Sequence, residues 1–196
     1  MYKEVLLKII SENNGILKTS DAVAAGISKD LFYKFINDRK MKKAAHGIYI
    51  CPESQKDEFK LLQEQFPKAV FSHNTALYLH GLAESKLPPI TVTVDSSYNS
   101  TGIKKLGAKV HFTKSELYST GIVEGISPYG NKIKLYNIER TICDIIRYSD
   151  DMDAAVIDYA VNAYANRPDK DLLRLSKYAE KLHLNRRIRN IKSILL

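Results

Sequence analysis

The sequence predicts an α+β fold in two parts, and three observations predict it. Residues 19–50, TSDAVAAGISKDLFYKFINDRKMKKAAHGIYI, place two short helical patterns around a glycine and follow them with a basic strand–turn–strand. Residues 90–95, ITVTVD, alternate strictly and are rich in β-branched residues, so a second sheet-forming region lies well downstream. From Asn137 onward the apolar spacing is helical. The expected architecture is a winged helix-turn-helix domain with a linker helix over residues 1–66. A mixed α/β domain with a helical C-terminal end follows over residues 67–196.

The first helix is expected from Tyr2 to Asn13, with Val5, Leu6, Ile9 and Ile10 as its buried stripe and Asn13-Asn14-Gly15 as its end. Ile16 and Leu17 suit a short strand that pairs with the hairpin. Thr19, Ser20 and Asp21 are helix-capping types before Ala22 to Ala25, and Gly26 stops that helix. Ser28 caps the next, Lys29 to about Arg39. On it Leu31, Phe32, Phe35 and Ile36 share one face, while Asp30, Tyr33, Lys34, Asn37 and Lys40 project from the other. His46-Gly47 reads as the turn between two strands, with Ile48 and Ile50 pointing one way and Tyr49 the other. Pro52 cannot donate to a strand ladder and closes the hairpin.

The polar face of the second helix suits DNA. Asn reads adenine edges, Lys reads guanine or holds phosphate, and Tyr meets phosphate or a thymine methyl. For an isolated helix, a merely solvated face is the competing reading. A basic hairpin carrying Lys42, Lys43 and His46 directly behind it favours DNA, because such a wing reaches the backbone or minor groove. The candidate DNA-binding residues are Lys29, Tyr33, Lys34, Asn37, Lys40, Lys42, Lys43 and His46. Lys18, Thr19 and Ser20 join them, because a helix N-terminus attracts phosphate.

Glu53 to Phe66 reads as the connecting helix, with Phe59 and Leu62 inward. Ala69 to Ser72 is a short strand, and Ser72 caps a helix from His73 to about Gly81. Leu87 to Ile90 is a loop. Strands follow at Ile90 to Asp95 and Ala108 to Thr113, with a weak helical piece near Lys104 between them. Ile122 to Ile126 and Lys132 to Tyr136 form a hairpin about Ser127-Pro-Tyr-Gly130. Helices are expected over 138–148, 154–165, 169–182 and 185–195. The third-last of these is expected to bury Val156, Ile157, Tyr159, Ala160, Val161 and Tyr164.

The composition is that of an ordinary globular chain: 44% hydrophobic and 27% charged over 196 residues. No apolar run approaches the ~20 residues that span a bilayer. The N-terminus reads as an amphipathic helix and not as a signal peptide, so a cytoplasmic protein with no membrane partner is expected. Cys51 and Cys143 form no CxxC pair and read as free thiols. The net charge of +8 is uneven. Residues 1–50 hold nine Lys/Arg against five Asp/Glu, residues 51–166 twelve against fourteen, and residues 167–196 nine against three. Basic ends favour a polyanion partner. In the tail Lys177, Lys181, Arg186, Arg187, Arg189 and Lys192 form either a solvated face or a second nucleic-acid surface.

Catalysis and cofactors are not expected. His73 and His80 lie two helical turns apart, roughly 10 Å along the axis, too far to chelate one ion unaided. The strand after Asp95 lacks the carboxylate a nuclease needs. Asp151 and Asp153 have the spacing of a magnesium pair but sit in a turn between helices. There is no GxSxG and no phosphate-cradling glycine loop. Arg140 and Asp144 are spaced as a helix-surface ion pair, or as an organising pair if buried.

Three phrases in this order are more specific than periodicity: HGIYICPE after the hairpin, SHNTALYLHGLAES followed by LPPITVTVD, and YNIERTICDIIRY opening the helical tail. Together they resemble the AbiEi family, antitoxins of the AbiE abortive-infection, type IV toxin–antitoxin systems, over nearly the whole chain. The resemblance implies an N-terminal winged domain that represses its operon by binding inverted repeats in promoter DNA. It implies a C-terminal domain that neutralises a nucleotidyltransferase-like toxin without a stable complex. Two copies pairing on the DNA fit that arrangement. In the second domain the phrases bring Ser72, His73, His80, Arg140 and Asp144 to prominence without assigning them roles. The alternative is a transcriptional regulator, or a winged-helix protein-interaction module, without antitoxin activity.

Overall fold

The computed structural model describes residues 1–83 and 89–188, and the fold is α+β, with two separate sheets. The chain forms two compact units. One comprises Met1–Gln65 with Ser127–Asn131, the other Phe66–Ile126 with Lys132–Leu196. Residues 127–131, expected in the second domain with the rest of 67–196, pack with the first unit instead. The reason is a buried carboxylate. Asp57 accepts from the Ser127 hydroxyl at 2.5 Å and the Asn131 amide at 2.7 Å, and Asn14 donates to Asn131 at 2.8 Å.

The first unit runs α1 (Tyr2–Glu12), β1 (Ile16–Lys18), α2 (Thr19–Ala24), α3 (Lys29–Asp38), β2 (Lys42–Ala45), β3 (Ile48–Ile50) and α4 (Glu58–Gln65). Its sheet is antiparallel in the order β1-β3-β2, with Leu17 opposite Tyr49, and Lys42 opposite Ile50. Leu6, Ile10, Leu17, Phe32, Phe35, Ile36, Met41 and Tyr49 form one apolar cluster. Ile16, Ile48 and Ile50 form another with Leu61 of α4, so both faces of the short sheet are covered. Gly15, at φ +89°, lets the chain reverse after α1; a Cβ there would collide with the Ser54 side chain.

Several local expectations need correction. Val5 and Leu31 are exposed, not buried, since each lies at the edge of its helix's apolar stripe. The helix α2 begins at Thr19, with Lys18 at its N-cap and no side-chain capping bond, so Thr19 and Ser20 sit inside its first turn. The connecting helix starts at Glu58 instead of Glu53, where the Asp57 carboxylate accepts from the Lys60 N–H at 3.0 Å.

The second unit carries β4 (Val70–Phe71), α5 (His73–Leu79), β5 (Thr91–Asp95), α6 (Thr101–Lys105), β6 (Lys109–Thr113), α7 (Ser115–Tyr118), β7 (Ile122–Ile126) and β8 (Lys132–Tyr136). The helices α8 (Ile138–Arg147), α9 (Ala154–Ala165) and α10 (Leu172–Lys181) follow. The mixed sheet has the order β6-β5-β4-β8-β7. Beside it α8 is buried along nearly its whole length and packs with Leu77, Ala160, Val161, Tyr164, Leu175 and Ala179. Tyr159 is exposed, contrary to expectation, and Val156 and Ile157 are only half-buried, because α9 is covered on one side. The short helix α7 had no signal in the periodicity. Much of the loop expected at 87–90, and the end of the helix expected over 185–195, lie outside the described residues.

At the centre of this unit Arg140 is 1% exposed. Its Nε donates to Asp144 at 3.0 Å and its Nη1 to the carbonyls of Leu117 and Thr120, each at 2.7 Å, while the guanidinium lies 4.2 Å from the Tyr136 ring centroid. A buried cation so supplied with acceptors ties α8 to the turn after α7.

Candidate nucleic-acid interface

The local sequence explains the geometry of the exposed basic face on the first unit. Gly26, at φ +77°, ends α2, and the Ser28 hydroxyl then accepts from the Leu31 N–H at 3.4 Å to start α3. Phe32, Phe35 and Ile36 anchor α3 in the core, which leaves Lys29, Asp30, Tyr33, Lys34, Asn37 and Lys40 exposed. The hairpin is anchored through Tyr49 on one side and Ile48 and Ile50 on the other, leaving Lys42, Lys43 and His46 exposed. The Thr19 N–H donates to the Gly47 carbonyl at 2.9 Å, which fixes the hairpin turn to the start of α2.

Charge on this face is largely uncommitted. Among the described residues no ion pair engages Lys29, Lys34, Lys40, Lys42 or Lys43. Tyr33 is 44% exposed, with its ring edge-on to Phe32 at 5.3 Å and to Tyr49 at 6.4 Å, so its position is set by the core. Such a face offers cations for phosphate together with a carboxamide and a phenol for base edges.

Three sequence candidates are placed differently. Lys18 is half-buried and donates to Glu64 at 2.6 Å, with Asp21 at 3.6 Å, so its charge is already opposed. Thr19 has its N–H taken by Gly47. Ser20 is exposed, and its hydroxyl donates to Asp21 at 3.2 Å. Glu64 carries no sequence signal for this role: it lies 46 residues from Lys18, and no local pattern joins them.

The basic tail also divides. Lys177 and Arg186 are exposed, and Lys181 donates to the Thr120 hydroxyl at 2.7 Å. Arg187 donates to the carbonyls of Ile146 and Arg147, each at 3.1 Å, to the Ser149 hydroxyl at 3.0 Å and to Asp150 at 2.9 Å. It therefore satisfies the C-terminal end of α8, where carbonyls lack helical partners and the dipole favours a cation. Arg189 and Lys192 lie outside the described residues.

The prominent histidines behave differently from each other. His80 Nε2 meets the Tyr136 carbonyl at 2.7 Å. His73 stacks on His111, with ring centroids 3.7 Å apart, and its Nε2 is buried without a partner. No group of three or more His, Cys, Asp or Glu side chains among the described residues is arranged to hold a metal ion. Cys51 and Cys143 are buried free thiols, and burial pushes the Cys143 thiol up to about 12. Among the described residues no helix is long and apolar enough to cross a membrane.

No family model matches this chain, and no curated protein matches it. Among solved structures it is similar to the crystal structure of the RV2827C protein from Mycobacterium tuberculosis. The TM-score is 0.59 at 11% sequence identity, over 91% of this chain and 70% of that one. At that identity the likeness is one of fold.

Proposed function

We propose that the first unit is a winged helix-turn-helix DNA reader and that the chain is an AbiEi-like antitoxin and autorepressor. In this reading α3 enters the major groove, the β2–β3 hairpin lies on the backbone, and two copies occupy an inverted repeat. The observation that carries it is the set of exposed, unpaired lysines flanking Asn37 on α3 and the hairpin behind it. Lys18 is left out of the contact surface, because Glu64 already holds it. The second unit would antagonise a nucleotidyltransferase-like toxin, without catalysis of its own, in the cytoplasm. The phrases around Ser72–Gly81 and Asn137–Tyr148 support that part of the reading. Binding of the chain to DNA from upstream of its own gene tests the first half. Rescue of growth on co-expression with a nucleotidyltransferase-like toxin, should the neighbouring gene encode one, tests the second.

A second reading is a protein-interaction module. Val23 at 49%, Leu31 at 39% and Tyr33 at 44% exposure put apolar area on α2 and α3, and such side chains suit a protein partner. Changing Leu31 to Lys separates the two: a DNA reader keeps its affinity, and a protein-binding surface loses it.

A further inference from the structure

A small cavity in the second unit is lined by His73, His111, Thr113, Asp144, Arg147 and Tyr148, among others. Three buried polar atoms of these residues have no hydrogen-bond partner: His73 Nε2, Thr113 Oγ1 and Asp144 Oδ2. The three side chains belong to α5, β6 and α8, and their residues are 3%, 8% and 3% exposed. A polar atom buried without a partner destabilises the fold, so three around one cavity call for a ligand.

His73 is held firmly in place. It opens α5 at φ +48°, a left-handed backbone uncommon for a residue with a side chain. Its ring is stacked on His111, meets Tyr148 edge-on at 5.0 Å, and has Nδ1 3.0 Å from the Ser72 hydroxyl. Thr93 donates its hydroxyl to Ser72 at 2.8 Å. With that bond accepted, the Ser72 hydrogen is free to point to His73 Nδ1, the arrangement that puts the ring proton on Nε2. Burial, reinforced by His111 and Lys109, keeps the ring neutral.

Size and chemistry then select the ligand. The volume open to the centre of a water-sized sphere is about 10 Å³, close to the minimum for one water. A divalent metal is disfavoured because the His73 and His111 rings lie within 14° of parallel, so their lone pairs do not converge. A small anion would meet the free oxygen of Asp144, and the Arg140 charge is already opposed by that carboxylate. A water can accept from His73 Nε2–H, donate to Asp144 Oδ2 and exchange a hydrogen bond with Thr113, giving the usual three partners. We infer that this cavity is the binding site of one ordered water, which joins the start of α5 to β6 and α8.

The test is a high-resolution crystal structure of the full chain from crystals soaked in sodium bromide, with the His73 tautomer read by ¹⁵N NMR. The expected result is one density peak within ~3.2 Å of all three atoms. It carries no anomalous signal, and His73 is the Nε2–H tautomer. An anomalous bromide or metal peak, no peak, direct closure of His73 on Asp144, or an Nδ1–H tautomer would each overturn the inference.

Discussion

Lys18 and Glu64 are joined by a 2.6 Å hydrogen-bonded ion pair, and Lys60 holds the same carboxylate at 2.8 Å. The pair fastens the start of α2 to α4, with side chains 27% and 13% exposed. Burial pushes the Glu64 carboxyl up, but hydrogen bonds from Lys18 and Lys60 outweigh it and hold the group below its ordinary 4.5. The stability this carboxylate contributes is therefore present above that value and is lost as pH falls through the lower folded value. Lys18→Met should cost about 1–2 kcal/mol in urea unfolding at pH 7. The cost should shrink as pH falls below 4.5 and Glu64 protonates in both variants. An equal cost at both pH values would show that the ion pair is not its source.

Arg187 should matter for folding and little for nucleic acid. Its guanidinium is occupied by the end of α8, so Arg187→Ala should lower stability by about 1 kcal/mol and leave the salt dependence of DNA binding unchanged. Thermal unfolding and a salt titration read the two effects separately. A variant of unchanged stability with weakened DNA binding would return this arginine to the nucleic-acid surface.

The Arg140–Asp144 pair is buried, and burial pushes the Asp144 carboxyl up against the pull of Arg140. Arg140→Met strands that carboxylate and two carbonyls, and about 3–5 kcal/mol should be lost in chemical denaturation of the second unit. Substituting both residues by apolar ones should cost less than the single change if the stranded charge is the cause.

The stacked histidines should make the second unit acid-sensitive. Burial, then Lys109, lowers His111 to about 4 from its ordinary 6.5. The folded state keeps the ring neutral while the unfolded chain binds a proton below 6.5. The stability is thus fully present above 6.5 and is lost as pH falls towards 4. His111→Gln should flatten the fall in urea midpoint between pH 7 and pH 5. A variant that parallels the parent across that range would exclude His111 as its source.

Local chemistry was legible in the sequence where the signal is itself local. Gly26 and Ser28 mark the end of α2 and the start of α3, and His46-Gly47 marks the hairpin turn. Periodicity gave the side of each helix that faces inward but not where its cover ends, hence the exposed Val5, Leu31 and Tyr159. The longer connections had no signal at all. Glu64 claims Lys18, Asp57 claims residues 127–131, and Arg187 folds back on α8; each depends on which distant element is the neighbour. A basic residue reads the same in sequence whether it caps a helix or waits for phosphate.

The most direct test of the proposed function is fluorescence anisotropy with DNA from upstream of the gene and a scrambled copy, at two salt concentrations, for the parent chain, Asn37→Ala and Lys42→Ala/Lys43→Ala. The expected result is a preference for the native sequence that survives the higher salt. Asn37→Ala should narrow that preference, with about 1–3 kcal/mol lost on the native site. The double lysine change should weaken both DNAs alike and reduce the salt slope by about 2. Equal binding of both DNAs that vanishes with salt, or the same loss on every sequence from all the variants, would contradict a sequence-reading α3.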